Sequence, residues 1–220
     1  MFEILIAGTF GYLTGSIFLS YYWGKLNRID LTQEGTGQLG ASNAGRTFGW
    51  PIMVIVGISD ILKATIALAI LTFVFNDFIG SQYYDGILIV GSLGIVFGHV
   101  NSFWIWLEKH NWHGGKGGSS LGGILLFLSL ESFLILFIGL MLTLKILKRY
   151  LLNGNWYENF STNAIVVLFS PFVILWFTGN STYFVLVLLI IGTILFFERA
   201  KISSILGNVL PKEAKKVWDQ

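Results

Sequence analysis

The chain contains no cysteine. That absence excludes a disulfide framework, a thiolate metal site and a thiol nucleophile. Charge is scarce too: Asp, Glu, Lys and Arg make up 12% of the residues, and the net charge is +2. Soluble domains carry roughly 25% charged residues, so this chain is not built for water. The small basic excess gives no footing for nucleic acid. Histidine occurs three times. His110-x-x-His113 offers two metal ligands without a clear third, so no metal is expected.

What the chain has in excess is apolar sequence. Hydrophobic residues make up 54% of it and the mean hydropathy is +0.71. The length fits one domain, read as a single unit over 1–220. A spanning helix needs roughly 20 apolar residues. Residues 2–24, 51–75 and 86–107 qualify, followed by the shorter 164–177 and 183–197. The first stretch is preceded by Glu3 instead of a positive segment, and no small-residue cleavage site precedes Lys25. It reads as a retained span. Between the third and fourth spans, residues 119–147 are apolar but interrupted by Glu131.

Charge asymmetry orients these spans. Segments 25–50, 108–118, 145–160 and 198–220 hold every Lys and Arg except Lys63. Segment 76–85 carries two Asp and no base, and 178–182 no charge. The positive-inside rule puts the four basic segments in the cytoplasm. The stretch 119–147 then crosses twice, turning near Glu131. The expected fold is an all-α membrane protein of about seven transmembrane helices, some short, with glycine-rich cytoplasmic loops. Residues 119–130 reach only ~18 Å at ~1.5 Å per residue, so that helix is short or partly re-entrant.

Two glycine-rich loops interrupt the apolar pattern. The first is Gly35-Thr36-Gly37-Gln38-Leu39-Gly40-Ala41-Ser42-Asn43-Ala44-Gly45-Arg46. The second is His113-Gly114-Gly115-Lys116-Gly117-Gly118-Ser119-Ser120. Glycine lets backbone N–H groups close around an anion, and Arg46 and Lys116 add charge. Gly35-x-Gly37-x-x-Gly40 matches a dinucleotide fingerprint, but it lies between membrane helices and not in a βαβ unit. The second loop is no Walker A motif, since no Ser or Thr follows Lys116 directly. Ser119 or Ser120 is expected to cap the next helix, whose N-terminus favours an anion. The bland alternative is that these glycines serve helix packing, as most of the 26 Gly are expected to do.

The first loop, Gly15-Ser16-Ile17, Asp60-x-x-Lys63, Gly98-His99 and Gly114-Gly115-Lys116-Gly117 together resemble the PlsY family. These are the bacterial acyl-phosphate-dependent glycerol-3-phosphate acyltransferases. The resemblance implies a multi-pass protein of the bacterial inner (plasma) membrane, acting in phospholipid biosynthesis. It implies transfer of a fatty acyl group from acyl phosphate to glycerol 3-phosphate, making lysophosphatidic acid, with no cofactor. Substrate-binding residues implied are Thr36, Gly37, Gln38, Gly40, Ser42, Asn43 and Arg46 of the first loop, and His99. Gly114, Gly115, Lys116 and Gly117 complete the set. No residue is singled out as catalytic. Acyl phosphate is already activated, so positioning and charge stabilisation carry the reaction.

The chain departs from the family in four places. Thr36 replaces Ser, and Gln38 replaces Asn. About three extra residues, including His110 and Trp112, precede the second loop. Where the family has roughly Arg-His-x-x-Asn-Ile, this chain has Phe197-Glu198-Arg199-Ala200-Lys201-Ile202. Glu198 in place of a phosphate-binding His disfavours glycerol 3-phosphate. A different small acceptor, or a non-catalytic relative binding lipid or a partner membrane protein, is therefore the alternative. A transporter reading lacks an inverted repeat.

Other residues have plainer roles. Asp60 and Lys63 share a helix face and are expected to pair inside the bundle. His99 is expected to hydrogen-bond the first loop or a phosphate, or to be structural. Trp104, Trp106 and Trp112 read as an interfacial belt. The tail 212–218 reads as a membrane-surface segment or a docking site for a partner.

Overall fold

The structure, a computed structural model, describes the backbone of residues 2–78, 82–150 and 160–209, and the side chains of 2–78, 83–142 and 169–195. Among these the chain forms α-helices, one short 3₁₀ turn at Asn76–Phe78 and no strand. This is the expected all-α membrane class: in lipid a helix satisfies its own backbone groups. Glu198 and Lys201 lie on a described helix, but their side chains are outside the described ones, and the tail 212–218 is outside the described residues.

Among the described residues, three stretches are long and apolar enough to cross a membrane: Phe2–Leu26, Trp50–Val74 and Tyr83–Lys109. Two of them are interrupted. The first divides into α1 (Phe2–Gly15) and α2 (Leu19–Leu26). The third divides into α5 (Gln82–Val100) and α6 (Phe103–Lys109). The expectation of unbroken helices over 2–24 and 86–107 is corrected here. Buried hydroxyls take the place of lost helical bonds: Ser102 donates to the Ser16 carbonyl at 2.6 Å and caps α6. Trp104 Nε1 donates to the Leu13 carbonyl at 3.0 Å.

Between these stretches lie α3 (Ala41–Phe48) and α4 (Trp50–Val74). They are separated by Gly49 at φ +94°, a conformation that favours glycine. Pro51 then sits in the first turn of α4, where its missing N–H costs nothing. The stretch 119–147 does divide, into α7 (Gly118–Leu128) and α8 (Leu130–Tyr150). The break is at Ser129, whose hydroxyl accepts the Ser132 N–H at 3.1 Å. Glu131 lies in the first turn of α8. Then come α9 (Phe160–Thr178) and α10 (Ser181–Val209).

The long helices pack in a closed cycle: α1 on α5, α5 on α10, then α9, α8, α7, α4 and back to α1. Leu68 and Leu71 of α4, Ile87 and Ile95 of α5, Leu121 and Ile124 of α7, and Leu186 and Ile190 of α10 fill the interior. Outward-facing apolar residues stay uncovered, such as Phe73 at 83% and Trp176 at 84% exposure. An apolar outer surface of this kind suits hydrocarbon, not water. The short helices α2, α3 and α6 gather around a second cluster that includes Phe18, Leu31, Leu39 and Ile105. That cluster holds the first glycine loop through Leu31 and Leu39.

Candidate functional site

The first loop folds on its own polar groups. Gly35 and Gly37 both have positive φ, at +57° and +68°. Asn43, 2% exposed, reaches back from α3 to close the loop. Its Oδ1 accepts the Thr36 N–H at 2.9 Å, and its Nδ2 donates to the Glu34 carbonyl at 2.9 Å. A methyl group at Gly35 would collide with that amide. Leu31 and Leu39, both fully buried, anchor the loop in the apolar cluster beneath.

Asp30 at the loop's base is held by Thr32 and by an ion pair with Lys109 of α6. Burial alone would raise the Asp30 carboxyl, but the Lys109 and Thr32 hydrogen bonds outweigh it and hold its pKa below the ordinary carboxylate value. A second ion pair, Lys25 to Glu108 at 2.7 Å, ties α2 to α6. Both pairs are substantially exposed and contribute modestly, in the range of ~0–1 kcal/mol each.

The second loop leaves α6 through His110, a left-handed residue at φ +52°. It runs over His99, which is buried near the end of α5. The Gly115 N–H donates to the His99 carbonyl at 2.7 Å. A side chain at Gly115 would strike the His99 imidazole, so glycine is required there. His99 Nδ1 and the Ser120 hydroxyl lie 2.9 Å apart. Gly117, at φ +85°, is the N-cap of α7, and no side chain caps that end. The expected Ser119 or Ser120 cap is thus corrected: both serines lie inside the helix, and Ser120 turns inward to His99.

One backbone hydrogen bond joins the two loops. The Leu39 N–H donates to the Gly114 carbonyl at 2.9 Å. Ser20 of α2 donates to the Leu39 carbonyl from the other side. The loops therefore form one platform, and a cavity of ≈ 270 Å³ opens beside it.

Of the residues nominated from sequence, Thr36, Gln38, Gly40, Ser42, Asn43 and Arg46 line this cavity from the first loop and α3. His99, Lys116 and Gly117 line it from the other side. Gly37, Gly114 and Gly115 do not line it; their places are the turn and the packing just described. Sequence reasoning missed the apolar arm of the same cavity. Ile61 of α4, Leu121 and Leu125 of α7, and Phe133, Leu136, Phe137 and Leu140 of α8 form its wall. Gly57 and Gly122 also face it.

The cavity is thus amphipathic. One end presents a guanidinium, an ammonium, an amide, hydroxyls and the N-terminus of α7. The other end is hydrocarbon. Such a site suits a molecule with an anionic head and an apolar chain.

The family described as glycerol-3-phosphate acyltransferase matches this chain over residues 5–208. The chain belongs to that family. A glycerol-3-phosphate acyltransferase of Geobacillus kaustophilus is 31% identical over 202 residues, covering 91% of each chain. Glycerol-3-phosphate acyltransferase 2 of Bacillus cereus is 30% identical over 202 residues, 91% of this chain and 90% of that one. The fold matches a crystal structure of PlsY, an integral membrane glycerol 3-phosphate acyltransferase, in its glycerol 3-phosphate form. The TM-score is 0.73 with 23% identity, covering 93% of this chain and 92% of the other. In this acyltransferase, then, the expected all-α membrane class and family hold. The Asp60–Lys63 pair expected inside the bundle is present as well, at 2.9 Å.

Proposed function

We propose that this acyltransferase transfers a fatty acyl group from acyl phosphate to the 1-hydroxyl of glycerol 3-phosphate. The acceptor oxygen forms the ester bond, the acyl–phosphate bond breaks, and lysophosphatidate and orthophosphate leave. The observation that carries this reading is the amphipathic cavity at the joined glycine loops. Relatives covering nine-tenths of the chain are named glycerol-3-phosphate acyltransferases, which supports the acceptor. Lys116, Arg46 and the N-terminus of α7 hold phosphate in this reading. Thr36, Gln38 and Ser42 add hydrogen bonds, and the arm between α4, α7 and α8 takes the acyl chain.

The donor distinguishes this reaction from other routes to the same product. Purified protein is given glycerol 3-phosphate with palmitoyl phosphate or palmitoyl-coenzyme A, and products are identified by mass spectrometry. Lysophosphatidate should form from the acyl phosphate only. Equal product from the thioester would overturn the donor assignment.

The same reading places the platform on the cytoplasmic side of a bacterial inner membrane. Because the chain has no native cysteine, single substitutions report sidedness cleanly. Ser42→Cys and Ser119→Cys should react with an impermeant maleimide only from the cytoplasmic side, and Asp77→Cys only from outside. Labelling of Ser42→Cys in intact cells would reverse the topology.

Glu198 and Lys201 bear on the acceptor. A carboxylate near a second phosphate disfavours it by like-charge repulsion. The paired change Glu198→His with Lys201→Asn should therefore improve glycerol 3-phosphate use, about tenfold or more in kcat/KM. If the unaltered protein already matches the paired variant, Glu198 points away from the acceptor. If another acceptor is used faster, that acceptor replaces glycerol 3-phosphate in the assignment.

A further inference from the structure

Beneath the platform lies a charge pair that the acyl-transfer reading leaves unused. Asp60 of α4 is 1% exposed and meets Lys63 at 2.9 Å. Among the described residues no other donor reaches its carboxylate. Two ions inside a membrane helix carry a desolvation cost that their attraction offsets only in part, so stability is a weak reason to keep them.

Lys63 has a second engagement. Its Nζ donates to the Ile17 carbonyl at 2.7 Å and lies 4.2 Å from the centroid of the Phe18 ring. Ile17 and Phe18 are the break between α1 and α2, where carbonyls lose their helical partners. The buried Phe18 ring packs on His99, with centroids 4.9 Å apart. His99 carries the Gly115 N–H on its carbonyl and meets Ser120 in the first turn of α7. A contiguous set of packed groups thus runs from Lys63 to Gly115, the neighbour of Lys116. Neither Asp60 nor Lys63 lines the cavity.

We propose that Lys63 is a positioning residue. It clamps the α1–α2 break and, through Phe18 and His99, sets the height of the backbone at Gly115 and Lys116. Asp60 is its fixed counter-ion, aiming the ammonium at Ile17. The inference rests on the acyltransferase reading of the site for its kinetic consequence, but the clamp itself has a readout independent of activity. A displacement of about 1 Å far from the chemistry can cost ~100-fold in rate, so a small shift of this clamp commands a large effect.

The test uses full-length protein in lipid nanodiscs, unaltered and as Lys63→Met, Lys63→Arg and the double variant Asp60→Asn with Lys63→Met. The double variant removes both charges and so leaves no lone buried carboxylate. It should melt within a few degrees of the unaltered protein. Its kcat should fall about tenfold or more, while KM for acyl phosphate and glycerol 3-phosphate stays within about twofold. Lys63→Arg should recover much of the kcat, since its donors still reach the carbonyl. Hydrogen exchange over residues 113–120 should speed up about tenfold in the double variant. A double variant with unaltered kcat and exchange shows a structural pair only and overturns the proposal. A large KM rise with kcat intact overturns it too, by making Lys63 a substrate ligand. If even the unaltered protein transfers no acyl group, the acyltransferase reading fails, and the exchange result alone decides the clamp.

Discussion

Lys116→Ala and Arg46→Ala should each lower acyl transfer about ten- to a hundredfold without unfolding the protein. Both residues line the cavity, one from each of the joined glycine-rich segments. Charge-assisted hydrogen bonds are worth ~1.5–3 kcal/mol each, and this range sets the expected loss. Arg46 is exposed on α3, and Lys116 sits in a loop held by backbone bonds at Gly114 and Gly115. Neither truncation therefore leaves a void in the apolar core. Lys116→Arg should recover only part of the activity, because the planar guanidinium presents its donors differently from an ammonium. Steady-state kinetics with each substrate varied will show the loss. Unchanged constants in both alanine variants would remove phosphate binding from the two loops.

The second large effect is on the fold. Gly8, Gly11 and Gly15 of α1 face Gly91, Gly94 and Gly98 of α5, and the two glycine sets have the same spacing. A Cβ at Gly98 would come within 2.9 Å of the Ser16 backbone nitrogen, and one at Gly94 within 3.0 Å of that of Tyr12. These are backbone atoms, so no side-chain rotation relieves the contact. Helices that meet this closely gain dispersion contact, which substitutes for the hydrophobic effect inside lipid. Gly98→Leu should separate α1 from α5, and with them Ile17 and His99 under the site. Overpacking costs typically ~1–3 kcal/mol and more against backbone, equivalent to about 10 °C of melting temperature in a chain of this size. Loss of monodisperse protein in detergent is the extreme outcome. Gly192→Ala is the control, since among the described residues nothing lies within 4 Å of a methyl group there. Equal melting of Gly98→Leu and Gly192→Ala would contradict the packing account.

These two effects mark what is legible in the sequence. The positions of the apolar helices follow from hydropathy, and the α7–α8 break lies close to Glu131, the charge that suggests it. The breaks at residues 16–18 and 101–102 are not visible there, because Ile17, Phe18 and Phe103 continue the apolar pattern through or beside them. What sustains the first of these breaks is a set of ordinary-looking donors, Ser102, Trp104 and Lys63, aimed at the distant carbonyls of Ser16, Leu13 and Ile17. The polar half of the cavity is readable because glycine, Arg and Lys stand out from an apolar background. The apolar half is not, since Leu121 and Phe133 are the same residue types as those facing lipid. Asn43 reads as a substrate ligand, yet its amide closes its own loop while also bordering the cavity. Composition cannot separate those two duties.

The most direct test of the central claim is product identification with purified protein, acyl phosphate and a panel of small acceptors that includes glycerol 3-phosphate. Mass spectrometry of the lipid fraction is read beside orthophosphate release. The account predicts lysophosphatidate from glycerol 3-phosphate, one orthophosphate per ester formed, and a sharp loss of both in Lys116→Ala. Absence of any acylated product, with no binding of acyl phosphate, would contradict it and leave a membrane protein that keeps the family's fold without its chemistry.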